Sequence, residues 1–172
     1  MKTIEEDKLN QLLAVISPAP ALRIAHFSDG GEKMIEILEA YCTKDEYEYQ
    51  INCIEHDFFE TVKEKYSQNS MVKPINFKLD RPRYMMQGKL YEYLFVSAHI
   101  KAEIRSDFLK KTHSIIKNAG LIFIFLPKEQ SSERDTWLSL LEEHYYVASN
   151  TIDDLFENYD VIISKKMHGW GG

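Results

Sequence analysis

Leu121-Ile122-Phe123-Ile124-Phe125-Leu126 is apolar at all six positions, and Pro127 closes the run. A strand covered on one face alternates apolar with polar residues, whereas an unbroken apolar run demands cover on both faces, as in a parallel sheet flanked by helices. Proline cannot donate to a ladder, so the strand is expected to end there. This run is read as the sheet centre. Immediately upstream, Ile104, Phe108, Thr112, Ile115 and Ile116 recur on one helical face, and Asn118-Ala119-Gly120 offers a glycine of the kind that ends helices in the left-handed conformation. Before that helix, Leu90 to Ser97 has strand composition.

The same alternation extends toward the amino end. Leu9, Leu12, Leu13 and Ile16 mark an N-terminal helix, stopped by Ser17-Pro18-Ala19-Pro20 because each proline drives its predecessor out of the helical region. Ala21 to Phe27 then reads as a strand, Ser28-Asp29-Gly30-Gly31 as a glycine turn, and Met34, Ile35, Leu38, Tyr41 and Cys42 as a helical face. Tyr47 to Ile54 reads as a second strand, followed by a helix around Phe58, Val62 and Tyr66. Val72 to Leu79 is a weaker strand, and Asp80-Arg81-Pro82-Arg83-Tyr84 reads as loop. Downstream of Pro127, Trp137, Leu138, Leu141 and Tyr145 form a helical face, and Tyr146 to Ile152 and Tyr159 to Lys165 form two strands close enough in sequence to pair antiparallel.

Alternating β and α units predict a three-layer α/β/α sandwich, a seven-stranded and mostly parallel sheet with right-handed crossovers. In such sheets ligands bind beyond the carboxyl ends of the strands at the switch in strand order, so the residues after Phe27, Ile54, Leu79 and Val96 are the ones to inspect. The 172 residues suit one domain, with residues 1–20 as its helix and proline-containing connection and residues 167–172 as a tail. With 44% apolar and 28% charged residues the chain is neither disordered nor fibrous. Its longest apolar run falls far short of the roughly 20 residues that cross a bilayer, and no secretory core follows Met1, so no membrane association and a cytoplasmic location are expected. A net charge of -6 argues against nucleic acid as partner. Cys42 and Cys53 lack C-x-x-C spacing and read as reduced core residues.

The order of segments resembles the class I S-adenosylmethionine-dependent methyltransferases over nearly the whole chain. Three stretches carry the resemblance. Tyr91-Glu92-Tyr93-Leu94-Phe95-Val96-Ser97 looks like the fourth strand of that family, and Phe108-Leu109-Lys110-Lys111 through Ile116-Lys117-Asn118-Ala119-Gly120-Leu121-Ile122 looks like its next helix, glycine turn and fifth strand. Phe156-Glu157-Asn158-Tyr159-Asp160-Val161-Ile162-Ile163-Ser164-Lys165-Lys166 resembles its closing strand, which is inserted antiparallel. The resemblance implies S-adenosylmethionine as cofactor and a methyl acceptor whose identity, small molecule or protein, stays open.

The same resemblance assigns site residues. The family's acidic residue and G-x-G-x-G loop after the first strand correspond to His26-Phe27-Ser28-Asp29-Gly30-Gly31-Glu32, with His26 at the acidic position, Ser28 and Glu32 at the outer glycines and Gly30 at the middle one. That loop is degenerate, because side chains stand where close approach favours none. Glu55 matches the acid that accepts hydrogen bonds from both ribose hydroxyls; the alternative is a strand-end acid or a helix cap shared with Asp57. Asp80 matches the adenine-contacting acid, unless Arg81 and Arg83 simply pair with it. Ser97 sits where the family faces the methyl group, and His99 is a candidate catalytic base for a hydroxyl or amine, since imidazole titrates near neutral pH. Glu103 could orient His99 or sit in the first helical turn.

Other chemistry is discounted. His26, His56, His99 and His168 share no metal-ligand spacing, and no phosphate-loop or serine-hydrolase motif occurs, so no metal site is expected. Tyr84-Met85-Met86 could line a cleft or fill the core. Met167-His168-Gly169-Trp170-Gly171-Gly172 reads as a dangling end unless Trp170 anchors it to a surface or a second subunit, which would make a homo-oligomer. The altered glycine loop motivates a competing expectation, a methyltransferase-like fold without catalysis that serves as a binding or assembly module.

Overall fold

Residues buried on alternate faces of the interior strands require a helical layer on both sides, and the chain supplies them in turn. The structure, a computed structural model, describes residues 1–167; the predicted tail role of Trp170 and its neighbours lies outside them. The elements are α1 (Glu6–Leu13), β1 (Arg23–Ser28), α2 (Glu32–Lys44), β2 (Glu48–Cys53), α3 (His56–Lys65), β3 (Val72–Asn76), β4 (Tyr91–Val96), α4 (Arg105–His113), β5 (Ile116–Pro127), α5 (Arg134–Glu143), β6 (Tyr146–Ile152) and β7 (Tyr159–Lys166). They build a seven-stranded sheet of order β3-β2-β1-β4-β5-β7-β6, parallel except that β7 runs antiparallel to both neighbours. The predicted strands agree with these bounds to within three residues, except that β5 begins at Ile116, five residues before the expected Leu121.

Two apolar layers hold the sheet, one on each face. Met34, Ile35 and Leu38 of α2, Leu9 and Leu12 of α1 and Phe123 and Phe125 of β5 belong to one. Phe108 and Leu109 of α4, Trp137 and Leu141 of α5 and Ile122, Ile124 and Leu126 of β5 belong to the other. Successive residues of β5 therefore feed opposite cores, which is why the run Leu121 to Leu126 is apolar throughout. The sheet's middle strand is β4, however, and β5 lies beside it. An all-apolar run reports cover on both faces, which every interior strand has, and so does not single out the centre.

The expected helix end at Gly120 is corrected. Helix α4 stops at His113, and Ile115 and Ile116 already belong to the strand side, with the Tyr91 N–H donating to the Ile115 carbonyl at 2.8 Å. Their helical spacing is accidental, because both are buried by the sheet whatever their period. Gly120 has another task. The β4–β5 register passes from Tyr91↔Ile116 to Tyr93↔Leu121, so β5 bulges there, and it is Ala119 that takes the left-handed conformation at φ 66°. A Cβ on Gly120 would stand 2.6 Å from the Ile116 Cγ2 and 2.8 Å from the Glu92 carbonyl, so the bulge needs glycine for close approach.

One crossover lacks a helix. The chain between β3 and β4 must pass β2 and β1, and residues 77–90 do so irregularly. Tyr84 anchors this segment: its ring lies 4.9 Å from Phe77, 5.7 Å from Phe27 and 6.0 Å from Phe108, and its hydroxyl donates to the Leu79 carbonyl at 2.7 Å. Tyr84 is thus a core residue, while Met85 is exposed. Cys42 and Cys53 are buried free thiols, each pushed up to about 12 by burial. Among the described residues, no helix is long and apolar enough to cross a membrane.

Candidate functional site

Strands β1, β2, β3, β4 and β5 all release their chain at the same edge of the sheet, and two cavities open there. The outer one, about 790 Å³, lies beyond β1, β2 and β3 against the start of α4. The inner one, about 360 Å³, lies beyond β4 and β5, between α5 and the start of β7. Asp29 and His99 line both, and they are joined: the His99 backbone N–H donates to Asp29 Oδ2 at 2.8 Å. This contact forms the partition.

Glu55 and Asp80 line the outer cavity and are exposed to it. Glu55 is the first residue before α3 but makes no side-chain capping bond, so its carboxylate is available as an acceptor and the cap alternative is not realised. The suggested pairing of Asp80 with its arginine neighbours is not made among the described residues; the Arg81 guanidinium sits 5.3 Å over the Phe77 ring instead. Five carboxylates (Asp29, Glu55, Asp80, Glu103 and Asp107) face three lysines around this cavity, and Lys111 is held by Asp107 at 2.6 Å. The remaining balance is negative, which favours a cationic or hydroxyl-rich ligand. Glu103 belongs to the short 3-10 turn before α4 and lines the cavity.

His26 stands elsewhere. It is fully buried within β1, its Nδ1 2.7 Å from the Tyr49 hydroxyl and its Nε2 2.8 Å from the Ser97 Oγ. Burial lowers it to about 3, so it is neutral, with one ring nitrogen donating and the other accepting. It lines neither cavity, and a neutral interior imidazole cannot do the work of the acid its position suggested. Ser97 reaches the inner cavity, yet its hydroxyl is engaged by His26.

The glycine turn explains its own irregularity. Ser28 is buried, and its hydroxyl donates to the Gly30 carbonyl at 2.7 Å, so the side chain that departs from glycine folds back into the turn rather than outward. Glu32 begins α2 and is exposed. The position that demands glycine is Gly31, which precedes α2 at φ 85°, ψ 62°. A Cβ there would lie 2.5 Å from the Met1 Sδ. The sequence pattern puts the close approach at Gly30 and gives no sign of Gly31 or of the segment lying on it.

That segment, Met1 to Glu5, straps the inner cavity. The Lys2 N–H donates to the Tyr159 hydroxyl at 2.6 Å, the Asn158 side-chain amide donates to the Thr3 carbonyl at 3.0 Å, and the Glu157 N–H donates to the Glu5 carboxylate at 3.1 Å. The inner walls are aromatic: Trp137, Tyr159 and Phe125. Arg105 is buried beneath them, donating to the Ile100 carbonyl at 2.9 Å and to Glu133 at 3.0 Å, its guanidinium 4.9 Å over the Trp137 ring. None of Trp137, Tyr159, Arg105 and Met1 was singled out as a site residue in the sequence, because no local motif links them; only the approach of β7 to β5 and the path of the strap unite them.

This strand order, with its antiparallel insertion, is the class I methyltransferase fold. Among solved structures, the chain is similar to a TehB-like S-adenosylmethionine-dependent methyltransferase from Corynebacterium glutamicum, with TM-score 0.74 and 12% identity over 96% of this chain and 89% of that one. It is similar also to the N-methyltransferase NodS from Bradyrhizobium japonicum, with TM-score 0.68 and 8% identity over 94% and 93%. The CurJ carbon methyltransferase matches with TM-score 0.69 and 11% identity over 92% of this chain, which spans about half, 52%, of that longer chain. No protein-family model matches the chain, and no curated protein sequence matches it.

Proposed function

We propose that this protein is an S-adenosylmethionine-dependent methyltransferase whose outer cavity holds the nucleoside and whose inner cavity takes the acceptor. The observation that carries the reading is the outer cavity itself: an acidic slot beyond β1–β3 that presents Glu55 and Asp80 together on the class I methyltransferase fold. The residues fit the cofactor. Vicinal ribose hydroxyls need an acceptor with two oxygens, which Glu55 provides, and a sulfonium cation favours a negative lining. Gly31 allows close approach, and the Met1 thioether over it is the end of a flexible, partly exposed side chain that can turn aside.

When bound, S-adenosylmethionine supplies a methyl group on a good leaving group. The chain's own part is then to position the acceptor and exclude water, for which proximity contributes about 7–11 kcal/mol in favourable cases. The strap and the aromatic walls border the inner cavity, and we assign His99, which lines both cavities, to receive a proton from the acceptor. Asp29 holds the His99 backbone by its N–H and so fixes where that imidazole begins.

Calorimetric titration with S-adenosylhomocysteine tests the reading. Binding is expected, and Glu55→Ala should weaken it about tenfold or more, the loss of hydrogen bonds to a charged acceptor. Absence of heat and of any thermal shift at millimolar ligand would overturn it, because a ligand of the native state must stabilise that state.

A further inference from the structure

The charges around the inner cavity do not cancel at random. Two side-chain cations line it, beside the Met1 amino group, and each of the two is already matched: Lys2 Nζ lies 3.0 Å from Glu129, and Arg105 lies 3.0 Å from Glu133 while also capping a carbonyl and stacking on Trp137. The lining carboxylate, Asp29, has no cationic partner among the described residues and spends one oxygen on a backbone N–H. What faces a guest is therefore one carboxylate at the partition, the exposed edges of Trp137, Tyr159 and Phe125, and the polar groups of Ser97, Gln130 and the strap. The volume, about 360 Å³, stands at the small end of ligand pockets and accepts a single ring with a short arm.

From this we infer that the inner cavity binds a small amine with an aromatic or apolar body, its ammonium against Asp29 and its body against Trp137 and Tyr159. A carboxylate or phosphate guest would meet Asp29 while finding both side-chain cations engaged, with only the Met1 amino group to receive it, and a neutral alcohol would leave the carboxylate uncompensated. An ammonium satisfies it, and rings bind cations at their faces. As the identity of the methyl acceptor, the inference rests on the cofactor reading above; as a binding property of the inner cavity, it does not. An ammonium must release one N–H proton before its nitrogen carries a free lone pair. His99, joined to Asp29 at the partition, is in place to take that proton onto its imidazole.

The test uses three probes of one shape, benzylamine, benzyl alcohol and benzoate, titrated into the protein by calorimetry without cofactor. Benzylamine should bind about tenfold or more tightly than benzyl alcohol, and benzoate most weakly. Asp29→Asn keeps an acceptor for the His99 N–H and removes the charge, so it should erase the amine's advantage while leaving the affinity for benzyl alcohol within about twofold. Equal affinities for amine and alcohol, a preference for benzoate, or an undiminished amine preference in a folded Asp29→Asn protein would overturn the proposal. S-Adenosylhomocysteine, titrated separately, keeps the two readings apart: its binding without an amine preference removes the amine pocket alone, and an amine preference without its binding supports the amine pocket and removes the cofactor reading.

Discussion

The two cavities share a partition and differ in almost everything else. The outer one is wide and ionic, made half of residues that follow strands β1, β2 and β3 and half of the stretch from His99 to Lys111; the inner one is small and edged by aromatic rings, made of residues from six separate parts of the chain. The difference teaches that ligand-facing charge can be cheap to place, since a strand end delivers it wherever the sheet stops. A wall gathered from distant segments needs long-range packing. Trp137 has 3% of its surface exposed, against free access for Glu55 and Asp80, so changes on the inner side should disturb folding as well as binding.

The largest effect follows from removing that wall. Trp137→Ala deletes a buried indole and leaves Arg105 without its ring, and should cost about 3–5 kcal/mol in urea unfolding. At a temperature where the variant stays folded, benzylamine affinity should fall about tenfold while S-adenosylhomocysteine binding stays within about twofold. Parallel loss of both ligands would break the distinction between the cavities.

Acid should act next, through the floor beneath the partition. In the unfolded chain the His26 imidazole takes a proton near pH 6.5, whereas burial delays protonation in the folded protein to about 3. Between those values the unfolded state holds more protons, so stability falls as pH drops through the window, by up to about 1.4 kcal/mol per unit and roughly 2 kcal/mol at pH 5. His113, also lowered by burial, adds in the same sense. Unfolding midpoints at pH 7 and pH 5 should differ less in His26→Asn than in the parent; equal pH dependence would show that His26 does not govern it.

The smallest effect sharpens the contrast. Asp80→Asn keeps the shape of the outer cavity and removes a charge at its exposed rim, so S-adenosylhomocysteine should bind about two- to tenfold more weakly with benzylamine unaffected. An unchanged affinity for the nucleoside would take Asp80 out of its contact surface.

Periodicity made the architecture readable because burial on both faces leaves a mark on the interior strands, as in Leu121 to Leu126. The same reasoning misread Ile115, Ile116 and Gly120, where an interior strand and a bulge imitate a helix and its end. That Glu55, Asp80, Ser97 and His99 line the two cavities was legible from topology, since each follows a strand that stops at the sheet's carboxyl edge. His26 was not, because a resemblance between loops says nothing about which face of β1 a residue occupies. Gly31 with Met1, and Trp137 with Tyr159, were hidden for another reason: their proximity arises from contacts between opposite ends of the chain, such as Lys2 with Tyr159.

The crossover of residues 77–90 carries a last consequence. It is held by the rings of Phe77 and Tyr84 and by Lys89 on Glu48, and just beyond Tyr84 the residues Met85, Gln87 and Gly88 are exposed, the latter two at positive φ. A protease entering there would divide the molecule into one piece with β1–β3, Glu55 and Asp80 and another with β4–β7, His99 and Trp137. Neither piece owns a whole cavity, and both halves of the partition, Asp29 and His99, are parted. Reassembly of the severed pieces could therefore be followed by the return of nucleoside binding, making this chain a natural candidate for a two-fragment reporter.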